Sequence, residues 1–169
     1  MTINKPIILD NMSPSLKKAT LADSVDWPID NFPKLSKMLI EKGIKVILLG
    51  TQHSKDKVGK FPKDKGIVSL VAETNLSQLI SLIKRLDILV SGDSAPMHIG
   101  SAVGVKTIAL FGPTDPIKHT PPGGRVIALV KRIKCQPCYK RSCINKEKLD
   151  CLNKISIDEV FDLILKKVK

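Results

Sequence analysis

Aromatic side chains are scarce in this sequence, at 4% of 169 residues. Proteins that bind single-stranded nucleic acid use aromatic rings as stacking platforms. The lysines are also spread over amphipathic segments. They do not form the single basic arm or patch that is typical of a nucleic-acid-binding surface. Both features disfavour nucleic acid as a partner.

Long apolar runs are missing too. No stretch approaches the roughly 18 to 20 apolar residues that a membrane-spanning helix needs, and Met1–Lys5 lacks the apolar core of a signal peptide. We therefore expect a cytoplasmic protein. The sequence also contains no P-loop, no Ser-His-Asp order and no metal-hydrolase motif, so none of those chemistries is predicted.

Positive charge is what the sequence has in excess. The 28 Lys and Arg outnumber the 16 Asp and Glu, which gives a formal net charge of +12. Such a surface favours anionic partners, among them phosphorylated substrates and, peripherally, the anionic inner membrane. The length and a hydrophobic fraction of 43% are sufficient for one buried core, so we expect a single domain over residues 1–169.

Short β-branched apolar runs alternate with helical patterns along the chain. Strands are predicted at residues 7–9, 45–50, 67–71, 87–91 and 107–111, and helices at 30–42, 76–83, 96–103 and 156–168. This alternation predicts an α/β fold, a Rossmann-like open parallel sheet with helices on both faces. In such sheets ligands bind beyond the carboxyl ends of the strands.

Cap and stop residues are predicted for several of these helices. Asp30 is expected to cap the first helix and Gly43 to end it, while Gly104 is expected to end the helix that begins near residue 96. Either Ser156 or Asp158 is expected to cap the last helix.

The most informative segment runs from Val90 to His98, where a strand turns sharply into a helix. Free amides at a helix's first turn attract anions, and here Ala95, Met97 and His98, but not Pro96, are expected to supply them. Ser94 adds a hydroxyl donor, and His98 adds an imidazole one turn further along. Asp93 is expected to accept backbone amides or a sugar hydroxyl. Taken alone, the same residues are better explained by an ordinary helix cap.

Two runs of sequence resemble the signature of glycosyltransferase family 9, which contains the lipopolysaccharide heptosyltransferases. They are Asp93–Gly104 (DSAPMHIGSAVG) and Ala109–Pro116 (ALFGPTDP). Trp27–Phe32 is similar to the family's tryptophan-proline helix opening, and Val46–Gly50 is similar to its following strand. The resemblance covers most of the chain.

The resemblance implies the C-terminal, donor-binding half of a GT-B glycosyltransferase. It implies that Asp93, Ser94, Ala95 and His98 line the diphosphate and sugar of a nucleotide-sugar, typically ADP-heptose, and that Thr114 lies in the next loop beside them. This donor is a substrate, and no cofactor is implied. The family's acceptor site, for a lipopolysaccharide core-type glycolipid, and its catalytic aspartate belong to an N-terminal domain. We expect that domain to be absent here, so no catalytic residue is assigned.

Some positions depart from the family pattern. Asn11-Met12 stands where a proline-glycine turn is usual, and Ser24-Val25-Asp26 lacks the basic residue that normally precedes the tryptophan. These departures keep open a non-catalytic, truncated nucleotide-sugar-binding module. The charge and the cysteines keep open a metal-stapled nucleic-acid-binding protein.

Four cysteines lie in a predicted loop over residues 135–151. Four thiolates can hold zinc tetrahedrally, but only Cys135 and Cys138 have the close spacing of a zinc knuckle, so reduced, loop-stabilising thiols are preferred and no metal ligand is assigned. Two further histidines follow predicted strands. His119 lies in a proline-rich loop near the proposed site and is expected to be an exposed loop residue and not a ligand. The same interpretation is preferred for His53 over contact with the nucleotide.

Overall fold

The computed structural model describes residues 7–10, 27–140 and 142–168. The strands and helices alternate along most of the chain. The strands are β1 (Ile7–Asp10), β2 (Val46–Leu49), β3 (Ile67–Ser69), β4 (Ile88–Gly92), β5 (Lys106–Phe111) and β6 (Val126–Val130). The helices are α1 (Asn31–Glu41), a 3₁₀ helix (Gln52–Lys60), α2 (Leu76–Ile83), α3 (Ala95–Ala102), α4 (Pro116–His119), α5 (Asp150–Asn153) and α6 (Ile157–Val168).

The strands form one six-stranded sheet in the order β3-β2-β1-β4-β5-β6, and every neighbouring pair is parallel. Parallel sheets need both faces covered, because each strand is reached by a crossover that lays a helix on the sheet. The central strands show this directly. Ile88 and Val90 of β4 belong to one hydrophobic cluster, and Leu89 between them belongs to another. The predicted α/β fold is confirmed.

Helices α1 and α6 cover one face of the sheet together. Trp27, which precedes α1, is 2% exposed and donates its indole N–H to the Ile155 carbonyl at 2.9 Å. Its ring meets Phe32 edge to face, with centroids 5.2 Å apart. The tryptophan therefore joins the start of α1 to the segment that leads into α6.

Helices α2 and α3 lie on the opposite face. Gly100 of α3 permits a close approach to the sheet, since a Cβ at that position would meet Thr107 Oγ1 at 2.6 Å and Leu89 Cδ2 at 2.9 Å. The first residue of α3, Ala95, comes three residues after the end of β4.

The five predicted strands are confirmed, with ends shifted by up to two residues. Gly43 and Gly104 end their helices with positive φ values of 74° and 82°. Ser156 caps α6 by accepting from the Glu159 amide at 3.2 Å. The cap predicted at Asp30 is wrong. Its carboxylate makes no capping bond and instead accepts from Lys60 Nζ at 2.8 Å, because its backbone is already helical.

Several elements were not predicted. They are β6, the 3₁₀ helix and the four-residue helices α4 and α5. Strand β6 is an apolar run of the kind that marked the other strands, while the three helices are too short or too polar to show a clear period. The departures at residues 11–12 and 24–26 lie outside the described residues. Among the helices that are described, none is long and apolar enough to cross a membrane.

Candidate functional site

The carboxyl edge of the sheet gathers the polar residues singled out by the sequence. Strand β1 pairs with β2 on one side and with β4 on the other. The strand order reverses direction between β1 and β4, and doubly wound sheets bind their ligands in the crevice at such a point. Asp93 and Ser94 follow β4 directly, and Thr114 follows β5, the next strand along.

The turn between β4 and α3 is held by a pair of hydroxyls. Ser91 Oγ and Ser94 Oγ lie 2.9 Å apart. This contact joins the end of β4 to the residue that precedes α3. Ser94 occupies the cap position of α3 in an extended conformation, with φ −151° and ψ 170°. The chain therefore changes direction within two residues, as the sequence predicts.

The turn is open to solvent on the side away from the sheet. Ala95 and His98 are exposed, and Ser94 is half-buried. His98 is the fourth residue of α3, so it belongs to the amino end of the helix that begins at this edge. An anionic ligand can approach this edge without displacing core side chains.

The first turn of α3 has fewer free donors than expected. Pro96 has no N–H, and the Met97 amide already donates to the Ser94 carbonyl at 3.1 Å. The Met97 side chain is fully buried against Ala109 and Phe111. This placement corrects the expectation that Met97 supplies a free amide. The Met97 side chain instead packs the start of α3 against β5. Ala95 remains the candidate backbone donor.

Thr114 lies in a loop that is well fixed to its neighbours. The Gly112 carbonyl accepts from the Gln136 side-chain amide, and the Pro113 carbonyl accepts from the Tyr139 amide at 3.0 Å. Thr114 Oγ1 is itself covered, and no hydrogen-bond partner for it occurs among the described residues. Because β5 pairs with β4, this loop follows the strand next to the β4–α3 turn, and its threonine hydroxyl is buried.

The sequence places His119 in a loop near the proposed site, and the structure brings it into contact with a residue of that site. Its Nδ1 lies 3.4 Å from Asp93 Oδ2, and the Asp93 side chain is only 10% exposed. The ring centroid of His119 is also 5.8 Å from that of Tyr139. The expectation of an exposed loop histidine is therefore wrong: His119 ends α4, is half-buried and pairs with the β4–α3 turn. His53, in contrast, is exposed in the 3₁₀ helix.

The cysteine segment lies beyond β6 and is irregular until α5 begins. Burial raises the pKa of the Cys151 thiol, a hydrogen bond with the Leu152 backbone opposes the rise, and charge on Cys135, Cys143 and Cys138 adds to it. Cys143 Sγ also accepts from the Leu149 amide at 3.2 Å. Within the described part of the chain, no group of three or more His, Cys, Asp or Glu side chains is arranged to hold a metal ion.

The sheet order and the helix that begins at its carboxyl edge define a doubly wound domain of the kind that binds nucleotides. The family model of "Glycosyltransferase family 9 (heptosyltransferase)" matches residues 12–149. The chain therefore belongs to glycosyltransferase family 9, a family of transferases.

Individual relatives agree with this assignment. Lipooligosaccharide heptosyltransferase 2 of Haemophilus influenzae is 32% identical over 152 residues, which are 83% of this chain and 43% of that protein. Two solved structures share the fold. They are Escherichia coli ADP-heptose LPS heptosyltransferase II (TM-score 0.77, 20% identity, 97% of this chain and 46% of that one) and E. coli heptosyltransferase WaaC with ADP (TM-score 0.75, 16% identity, 98% and 45%). The chain spans less than half the length of each.

Proposed function

We propose that this chain is the donor-binding half of a heptosyltransferase and holds the diphosphate of ADP-heptose at the β4–α3 turn. One observation carries the proposal: the turn from Asp93 to His98 lies at the carboxyl end of β4, at the point where the strand order reverses, and is open to solvent. Two relatives support the choice of nucleotide, since one is named for ADP-heptose and one was solved with ADP.

The residues of the turn have distinct roles in this proposal. The Ala95 amide and the His98 imidazole donate to the phosphate oxygens, with the positive end of the α3 dipole behind them. The Ser94 hydroxyl donates to Ser91 Oγ, whose own hydrogen is directed to the Gly92 carbonyl, and it turns to a phosphate oxygen when the sugar donor binds. Asp93 cannot donate as a carboxylate, and it accepts from a hydroxyl of the sugar. Met97 and Thr114 contribute by shaping the turn and the neighbouring loop. The donor is a substrate, and the reaction as proposed needs no further cofactor.

Leaving-group stabilisation is the contribution of this half to catalysis. A hydroxyl of a lipopolysaccharide core-type acceptor attacks the anomeric carbon, a base in the other half takes its proton, and the bond from that carbon to the diphosphate oxygen breaks. Negative charge then grows on the departing diphosphate, where donors fixed in advance stabilise it most. The net charge of +12 suits work beside an anionic membrane, where such an acceptor resides.

A second candidate is a nucleotide-sugar-binding module that catalyses no transfer. The first turn of α3 favours it, because Pro96 has no N–H and the Met97 amide is already engaged, which leaves fewer donors for a growing charge. Supplying a matching N-terminal half separates the two candidates. Transfer of heptose would support the first, and donor binding without any transfer would support the second.

Isothermal titration of the purified chain with ADP-heptose tests the donor site. We expect weak but measurable binding that falls about 10-fold in His98→Ala, since hydrogen bonds to charged groups contribute about 1.5–3 kcal/mol. His53→Ala is the matched control, because His53 is exposed and lies in a different helix, and it should bind as the wild type does. No binding by the wild type, or equal binding by all three proteins, would contradict the proposal.

A further inference from the structure

The pair formed by Asp93 and His119 joins three segments at the carboxyl edge. Asp93 follows β4, His119 ends α4, and Tyr139 packs against the His119 ring from the segment after β6. The Tyr139 amide in turn donates to the Pro113 carbonyl at 3.0 Å. These contacts fix the position of the imidazole, although 38% of its side chain is exposed. A ligand at the edge can therefore reach a histidine that is already held in place.

The position of Asp93 raises a problem of charge. A carboxylate beside a diphosphate repels it, and a side chain that is only 10% exposed has little water to screen that repulsion. His119 solves the problem if it carries a proton, because the pair is then neutral. The nitrogen facing Asp93 is Nδ1, so Nε2 is the nitrogen left for another partner.

We propose that His119 neutralises Asp93 and, in its doubly protonated form, donates from Nε2 to the diphosphate of the sugar donor. This inference rests on the proposed function, and it adds a second histidine to the donor site. In this arrangement Asp93 orients the imidazole, and Nε2–H makes the contact with the ligand. Donor binding is then coupled to uptake of a proton by His119.

Few charged groups other than Asp93 compete for this proton in the described part of the chain. On its own helix, the His119 amide donates to the Asp115 carbonyl at 3.1 Å, and the Asp115 carboxylate is occupied in capping Ile117 at 3.0 Å. Lys118 precedes His119 and is exposed. The Tyr139 ring is the neighbour on the remaining side. The Asp93 carboxylate is thus the group whose charge most directly faces the imidazole.

Calorimetry in several buffers measures the coupling. The purified chain is titrated with ADP-glucose near neutral pH in buffers of different ionisation enthalpy, and the slope of the observed enthalpy gives the number of protons taken up. ADP-glucose is chosen because both of its phosphates are diesters and carry no proton that titrates near neutral pH. We expect the wild type to take up a fraction of one proton for each ligand bound.

Two substitutions separate the functions of the two ring nitrogens. His119→Asn keeps an N–H near the position of Nδ1, so Asp93 keeps a partner, but it removes Nε2. We expect it to lose the proton uptake and about 10-fold or more in affinity. His119→Gln places a neutral N–H near the position of Nε2. We expect it to lose the proton uptake and to bind more tightly than His119→Asn does.

The other two histidines of the chain serve as controls. His98→Asn should weaken binding while keeping the proton uptake, and His53→Asn should change neither. Thermal melts establish that each variant is folded. Because the two His119 variants preserve different partners, one of them remains informative if the other is unstable.

The outcomes distinguish this inference from the proposed function. Binding of ADP-glucose without proton uptake, or uptake that survives in both His119 variants, would overturn the role of His119 and leave the donor site standing. Loss of uptake in His98→Asn alone would assign the proton to His98 and also overturn it. Absence of ADP-glucose binding by a wild type that binds ADP-heptose would overturn the role of His119 alone, and absence of binding of both nucleotide-sugars would overturn both proposals.

Discussion

The body of the sheet and its carboxyl edge are built on different principles. In the body, successive apolar residues of β4 and β5 alternate between one large hydrophobic cluster on one face and two smaller clusters on the other, and these side chains are almost fully buried. At the edge, Asp93, Ser94 and His119 are polar, partly exposed and held by a few contacts between loops. The difference indicates that the body determines stability and the edge is available for binding. Substitutions in the two regions should therefore fail in different ways.

The largest loss of stability is expected from Trp27→Ala. This change removes a buried aromatic ring and the hydrogen bond to the Ile155 carbonyl that joins α1 to α6. Aromatic-to-alanine changes in cores cost about 3–5 kcal/mol, and urea unfolding measures the loss. Leu76→Ala is the control, since Leu76 is 66% exposed and should be nearly neutral. A small effect at Trp27 would show that the α1–α6 face is not the main core.

Gly100→Ala should produce the next largest effect. The added methyl group would lie 2.6 Å from Thr107 Oγ1, so α3 or the strand must move. Overpacking of this kind costs about 1–3 kcal/mol. Gly59→Ala adds the same methyl group where no atom lies within 4 Å, and it should leave the melting temperature unchanged or slightly raised. Equal melting temperatures for the two variants would contradict the close packing of α3.

Ser94→Ala changes a residue at the carboxyl edge of the sheet. It removes the hydroxyl that pairs with Ser91 at 2.9 Å, in a turn that is partly exposed, so stability should fall by no more than about 1 kcal/mol. Binding of ADP-heptose should nevertheless weaken several-fold, because the same hydroxyl donates to phosphate in the proposed site. A large loss of stability without loss of binding would reverse the roles assigned to edge and body.

The ion pair between Asp30 and Lys60 should have the smallest effect. The hydrogen bond and the charge of Lys60 lower the pKa of Asp30, so the contribution to stability is present above the unfolded pKa and is lost as pH falls through the folded value. The side chains are 69% and 50% exposed, and solvent screens such pairs. We expect Asp30→Asn to unfold at the wild-type temperature at neutral pH, within error. A clear decrease would give this exposed pair a structural role.

The same contrast explains which features of the structure could be predicted from the sequence. Strands such as Lys106–Phe111 are local apolar runs, and helix ends at Gly43 and Gly104 depend on one residue's backbone freedom, so both are visible in short windows. The run Val126–Val130 carried the same signal and could have been predicted as β6. The β4–α3 turn was also predictable, because the end of a strand, a cap and a proline follow one another within a few residues.

Pairings between distant segments were not predictable. Asp30 pairs with Lys60 instead of capping its own helix. Asp93 pairs with His119, which lies at the end of α4, after the next strand. Each of these contacts depends on how crossovers bring separate loops together at one edge, which no local pattern reports. The engaged amide of Met97 is a smaller case, since the sequence shows a helix start but not how tightly its first turn is wound.

The central claim is that the donor diphosphate is held at the β4–α3 turn. Titration of the ¹⁵N-labelled chain with ADP-heptose, followed residue by residue in NMR spectra, tests it most directly. We expect the largest amide shifts at Asp93, Ser94, Ala95 and His98, smaller ones around Thr114 and none at His53. Saturable binding whose shifts leave Ala95 and His98 unmoved would contradict it.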